Sequence, residues 1–141
     1  MDYLIGIVLA LMFTSSATVL GLDRERVFYL AVMIAVATYY VLFAAMSGSG
    51  HVVIVESAAA AGFLVFAMIG FKTSLWLVAV ALTGHGIFDF FHHFVIDDPG
   101  VPPWWPGFCM AFDIVAAGYL AGLLMKRPGL ARPDSLASGM S

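Results

Sequence analysis

Long apolar runs separated by short polar segments dominate the chain. The runs cover residues 2–21, 27–47, 51–71, 75–96 and 106–125. Each is close to the roughly 20 apolar residues that an α-helix needs to cross the hydrocarbon core of a bilayer. The pattern therefore predicts an all-α integral membrane protein, in which residues 1–125 form a single domain of five transmembrane helices.

Composition supports this prediction and excludes other classes of protein. Of the 141 residues, 62% are hydrophobic and 11% are charged, whereas soluble domains carry about 25% charged residues. The net charge of −3, with six Lys and Arg residues in all, leaves no basic surface for a nucleic acid. The lipid bilayer is the expected partner.

The basic residues set the expected orientation. With five spans, all six Lys and Arg residues fall on the same side of the membrane, and loops on the cytoplasmic side are enriched in these residues. We therefore expect the N-terminus outside and the C-terminus in the cytoplasm, in the cytoplasmic (inner) cell membrane. An alternative with four spans splits the basic residues between the two sides. Residues 126–141 are polar and broken by proline and glycine, which predicts a disordered cytoplasmic tail.

Acidic residues and histidines lie inside three of the predicted spans. At a rise of about 1.5 Å per residue, Glu56, Asp89 and Asp113 lie about 8–10 Å below the outer ends of their helices, in one layer of the outer half of the bilayer. On the fourth helix, His85, Asp89 and His92 fall within about 60° of one another and form one polar stripe. A charged residue at the bilayer centre costs about 2.5–3.5 kcal/mol. Because the basic residues are assigned to the opposite surface, only protonation, imidazolium or a bound cation can balance these carboxylates.

This set of side chains is typical of a metal site, since histidine and carboxylate are the usual ligands of zinc and of non-haem iron. We expect a divalent metal, zinc or iron, with His85, Asp89 and His92 as its ligands. Glu56 and Asp113 are the candidates for a further ligand or for a catalytic general base. Such a site, opening towards the outer face, favours a membrane-embedded hydrolase or oxidoreductase that acts on a lipid-like substrate.

Other interpretations stay open at this point. Protonated carboxyls would make the same residues structural hydrogen-bond clamps between helices, as in an accessory subunit of a larger membrane complex. Alternatively, the carboxylates and histidines form a relay in a proton-coupled transporter or an ion pathway. Gly118 and Gly122 form a GxxxG pair, which offers a surface for a homo-oligomer.

Two stretches carry a resemblance to a known pattern. HGIFDFFHH at 85–93 is followed by VPPWWPGFC at 101–109 and by Phe112 and Asp113. This arrangement resembles the signature of a family of small multi-pass membrane proteins of bacteria and fungi that has no established activity, so it implies a membrane fold and no particular reaction. More loosely, His and Asp residues spread over several helices are similar to those of the membrane-embedded zinc hydrolases of the ceramidase and progestin-receptor group, which have seven helices. A retinal protein is disfavoured, because no lysine lies inside a predicted span to form the Schiff base.

Overall fold

Five long helices make up most of residues 1–133, the part of the chain described by this computed structural model. They are α1 (Asp2–Leu20), α2 (Val27–Ser47), α3 (Gly50–Thr73), α4 (Leu75–Val95) and α5 (Trp105–Lys126). A single turn of 3₁₀-helix follows α1 at Leu22–Arg24, and another follows α5 at Pro128–Ala131. All five helices are long and apolar enough to cross a membrane. The prediction of an all-helical protein with five such helices, rather than four, is confirmed.

Local sequence explains where the helices begin and end. Gly21 and Gly48 end α1 and α2 in the left-handed conformation, with φ angles of 74° and 76°, which glycine adopts without a Cβ clash. Ser49 and Ser74 precede α3 and α4, and each hydroxyl accepts a hydrogen bond from a backbone N–H of the first turn. Pro106 occupies the first turn of α5, where no intrahelical partner exists for a backbone N–H.

Helix α4 lies in the middle of the bundle. The helices pack in the order α1, α5, α4, α3, α2, and α2 also contacts α4. The close approach of α4 to α5 depends on Gly86, because a Cβ at this position would lie 3.2 Å from the Cβ of Asp113 and from the backbone oxygen of Met110. Side chains on α4 therefore have neighbours on three other helices.

Apolar side chains cover the outside of the bundle, and ionisable side chains lie inside it. Ile54 and Phe94, for example, are 70% and 84% exposed. Five acidic and histidine residues within the five long helices are at most 2% exposed: Glu56, His85, Asp89, His92 and Asp113. Soluble proteins show the opposite distribution, with charged residues almost never fully buried and few large apolar patches exposed. Together with the five apolar helices, this distribution suggests a multi-pass membrane protein.

The basic segments of the sequence meet at one end of the bundle. The guanidinium of Arg26, just before α2, donates to the backbone oxygens of Phe71 near the end of α3 and of Leu130 after α5, at 2.5 and 2.6 Å. The same cation lies 5.8 Å from the centre of the Phe71 ring. These charge-assisted bonds tie the turn after α5 to the bundle, and Ala131 in that turn is buried. The sequence predicts a disordered tail at residues 126–141; the structure has the end of α5 and the turn at Pro128–Ala131 in its first part, residues 134–141 lie outside the described part, and the tail as a whole stays a prediction.

The GxxxG pair on α5 lies away from the helix contacts. Within residues 1–133, a Cβ added at Gly118 or at Gly122 would meet no other atom within 4 Å. The space beside these glycines is compatible with close approach of another helix. A homo-oligomer formed through this face stays a prediction.

Candidate metal centre

Three ionisable side chains from α4 and α5 meet in the interior of the bundle. His85 and Asp89 lie one helical turn apart on α4, and both face Asp113 of α5. His85 Nδ1 is 2.7 Å from Asp113 Oδ2 and 3.4 Å from Asp89 Oδ2. One ligand atom from each residue lies within 4.8 Å of the other two, and all three residues are buried. This group could therefore hold a metal ion.

Two of the three ligand separations can be compared with those around a divalent cation. Zinc lies about 2.0–2.2 Å from nitrogen and oxygen ligands, so two ligands of a tetrahedral site are about 3.4 Å apart. The separation between His85 Nδ1 and Asp89 Oδ2 already has this value, at 3.4 Å. The 2.7 Å between His85 Nδ1 and Asp113 Oδ2 is a hydrogen-bond distance. It would have to lengthen by about 0.7 Å for an ion to replace the shared proton.

The carboxylates of this group are poorly satisfied by the protein. By strict hydrogen-bond geometry, both oxygens of Asp89 and the Oδ1 atom of Asp113 are buried without a partner in the described part of the chain. The nearest groups to Asp89 are His85 Nδ1, 3.4 Å from Oδ2, and the Tyr40 hydroxyl, which lies close enough for a side-chain hydrogen bond. Residues 75–125, which hold all three side chains, contain no Lys or Arg to neutralise them. An unsatisfied buried polar group costs about 1–3 kcal/mol, and more when it is charged. A ligand that accepts lone pairs from several carboxylate oxygens at once would remove this cost.

His92 and Glu56 form a second buried pair, between α4 and α3. His92 Nε2 lies 2.6 Å from Glu56 Oε1, and both side chains are at most 1% exposed. The sequence predicts His92 as the third ligand beside His85 and Asp89, but the structure brings Asp113 to that place and pairs His92 with Glu56. The two candidates for a general base, Glu56 and Asp113, therefore lie in different groups.

Tyr40 of α2 lies between the two groups. Its ring centroid is 4.5 Å from that of His92 and 6.0 Å from that of His85. Its hydroxyl is buried and makes no hydrogen bond of strict geometry among residues 1–133, but it lies close enough to Asp89 for a side-chain hydrogen bond and within electrostatic range of Asp113. From the sequence, Tyr40 lies at a depth comparable with that of the carboxylates, where a packing or interfacial role is favoured over a hydrogen bond to them. Only the packing of α2 against α4 assigns Tyr40 to the site.

An apolar cavity of about 710 Å³ opens on another side of the bundle. It lies between α1, α2 and α5, and its lining includes Leu9, Val36, Trp105 and Cys109. Cys109 is one turn from Asp113 on α5 and lies within electrostatic range of both Asp89 and Asp113. One residue of the cavity lining, Cys109, therefore lies near the carboxylates of the candidate metal centre, which do not themselves line the cavity.

Comparisons with known proteins give no further assignment. No family model matches the chain, and no curated protein and no solved structure was found to be similar to it. The resemblance drawn from residues 85–113 stays a prediction.

Proposed function

We propose that this is a multi-pass protein of the cytoplasmic membrane, with its N-terminus outside, which holds a divalent cation at His85, Asp89 and Asp113. The cation is zinc or iron, and the centre lies in the outer half of the bilayer. The observation that carries the proposal is the group of buried carboxylate oxygens without hydrogen-bond partners beside His85.

Charge balance supports a divalent cation over other occupants. Two carboxylates and one neutral imidazole carry a charge of about −2, which a divalent ion neutralises completely. An imidazolium at His85 would leave an excess negative charge in a low-dielectric interior, where an unpaired charge is expensive. An imidazolium at His85 together with protonation of one carboxyl would also bring the net charge of the group to zero. In the present geometry, however, that state leaves buried carboxyl oxygens without hydrogen-bond partners.

The surroundings of the centre favour chemistry on a lipid-like molecule. Three protein ligands leave a coordination position open, as in catalytic zinc sites, and a metal there supplies Lewis acidity or an activated water. The cavity whose lining includes Cys109 is formed almost entirely by apolar side chains, such as Leu9, Val36 and Phe112, which suits an apolar ligand. A hydrolase or oxidoreductase acting on a lipid-like substrate is therefore the enzyme class that we propose.

Elemental analysis of detergent-purified protein tests the metal proposal. The wild type is compared with Asp89→Asn, which keeps the shape of the side chain and removes its charge. Glu25→Gln is the matched control, because it also removes one negative charge but changes an exposed residue between α1 and α2. We expect about one zinc or iron per chain in the wild type and in Glu25→Gln, and almost none in Asp89→Asn. Equal and negligible metal contents in all three proteins would refute the proposal.

A further inference from the structure

A small pocket of about 210 Å³ opens between α3 and α4 at the end of the bundle opposite Arg26. Its lining residues are His51, Val52, Val55, Val95, Ile96 and Asp97. The two polar members, His51 and Asp97, are both exposed. The opening of the pocket, which we call its mouth, is therefore lined by the carboxylate of Asp97 and the imidazole of His51. Both groups bind divalent cations.

The buried pair of Glu56 and His92 lies directly below this pocket. Glu56 comes four residues after Val52 on α3, and His92 comes four residues before Ile96 on α4. Four residues of helix correspond to about 6 Å along the axis. The floor of the pocket thus stands one turn above the bond between His92 Nε2 and Glu56 Oε1.

The line of polar groups continues from this pair to the metal centre. Asp89 lies three residues before His92 on α4, one further turn into the bundle. The ring of Tyr40 contacts His92 and also faces His85, at the centroid distances given above. In the described residues, His92 Nδ1, the Tyr40 hydroxyl and both oxygens of Asp89 have no hydrogen-bond partner by strict geometry. Polar atoms with spare hydrogen-bonding capacity therefore follow one another from the Glu56–His92 pair to the centre.

The line stops at the centre and does not cross the bundle. Beyond His85, towards the end that holds Arg26, the next interior side chains include Met33, Leu82 and Leu120, all of them 0% exposed, and buried polar groups such as Tyr29 and Asp23 lie nearer that end. A continuous pathway for ions would need polar groups at the depth of the three apolar side chains as well. The arrangement is that of an access route to a buried site, with one open end.

We infer that divalent cations reach the centre through this route: they are captured at His51 and Asp97 and pass between Glu56 and His92, whose bond must open. The inference rests on the proposed function, because it presupposes that a cation binds at the centre. Glu56 and His92 are then positioning residues that govern how fast the cation arrives, and the ligands at equilibrium are His85, Asp89 and Asp113.

The test is the time course of Zn²⁺ loading. Full-length protein in detergent is stripped with a chelator and mixed with Zn²⁺, and bound zinc is measured after rapid desalting at successive times. The variant Glu56→Gln keeps an oxygen that accepts a hydrogen bond from His92 and removes the charge, and Glu25→Gln is the control. We expect Glu56→Gln to load about tenfold more slowly or slower still, because the interior carboxylate that attracts the cation is lost, and to reach the same final zinc content as the control.

A second measurement does not depend on the folding of a buried variant. Asp97→Cys places a thiol at the exposed mouth, and the native Cys109 is buried. The same preparation is loaded before and after reaction with a bulky thiol reagent, and we expect the reaction to slow loading about tenfold without changing the final zinc content.

The possible outcomes separate the two claims. Loading of Glu56→Gln and of the blocked Asp97→Cys protein at the unmodified rates would overturn the access route while the metal centre stands. Loss of bound zinc at equilibrium in Glu56→Gln, but not in Glu25→Gln, would make Glu56 a ligand and would also overturn the inference. Absence of bound zinc in the wild type at long times would instead refute the proposed function itself.

Discussion

Replacing Asp89 by asparagine should change the stability of the protein in opposite directions with and without metal. The side chain is 0% exposed, and by strict geometry both of its oxygens lack a hydrogen-bond partner within residues 1–133. In the metal-free protein, the substitution Asp89→Asn removes a buried negative charge within electrostatic range of Asp113 and so relieves the repulsion between the two carboxylates. We therefore expect the metal-free variant to be more stable than the metal-free wild type by about 1–3 kcal/mol.

The metal reverses this order. A cation present at 100 times its dissociation constant stabilises the wild type by about 2.7 kcal/mol. In a chain of this size, 1 kcal/mol corresponds to a shift of about 3 °C in the unfolding midpoint, so zinc should raise the wild-type midpoint by about 8 °C. Because Asp89→Asn replaces one of two anionic ligands by a neutral one, the same zinc concentration should raise the midpoint of the variant by less than about 2 °C.

Thermal unfolding in detergent, with either excess chelator or excess zinc, measures both effects. Glu25→Gln should follow the wild type under both conditions. A lower midpoint for Asp89→Asn in chelator would show that Asp89 is a satisfied structural partner, as in a hydrogen-bond clamp. Together with an absence of any zinc-dependent shift in the wild type, that result would refute the reasoning from the unpartnered oxygens.

Three further predictions concern the packing, the inner end and the orientation of the bundle. Gly86→Val should lower stability by about 1–3 kcal/mol and reduce metal content, because the added side chain would push α4 away from α5. Gly62→Val should leave metal content unchanged, because a Cβ added at Gly62 meets no other atom within 4 Å. Equal metal contents would contradict the helix contact. Arg26→Gln should speed proteolysis of the segment after α5, because the variant loses charge-assisted bonds, and an unchanged digestion rate would show that these bonds do not hold it. In intact cells, a membrane-impermeant thiol reagent should label Asp97→Cys and not Glu25→Cys, and the reverse pattern would invert the proposed topology.

The helices could be predicted from the sequence because each one is indicated by its own run of apolar residues. A run of about 20 apolar residues has few alternatives to a membrane-spanning helix, and the predicted limits lie within about two residues of the observed ones. Gly48 and Ser74, which border helices in the structure, lie in the turn segments that separate the apolar runs. The tail was less predictable, because the bonds that order its first residues come from Arg26, about 100 residues earlier in the chain.

Which residues meet at the site could not be predicted from the sequence, because it depends on contacts between helices that are distant along the chain. Helical periodicity places His85, Asp89 and His92 on one stripe of α4, but that stripe is wide enough to face two neighbouring helices. The contact at Gly86 turns one edge of it towards α5 and Asp113, while His92, at the other edge, meets Glu56 of α3. This packing sets the rotation of each helix about its axis. The spacing of residues within a single helix does not predict that rotation.

The most direct test of the central claim is X-ray absorption spectroscopy of the metal-loaded protein. Coordination by His85, Asp89 and Asp113 predicts only nitrogen and oxygen neighbours at about 2.0–2.2 Å and the scattering signature of a single imidazole, with no sulfur ligand. The spectrum of Glu25→Gln should be the same. A signature of two imidazoles would place His92 in the coordination sphere, and a sulfur neighbour would place Cys109 there. Either result would contradict the assigned ligands, and the absence of any tightly bound metal would contradict the centre itself.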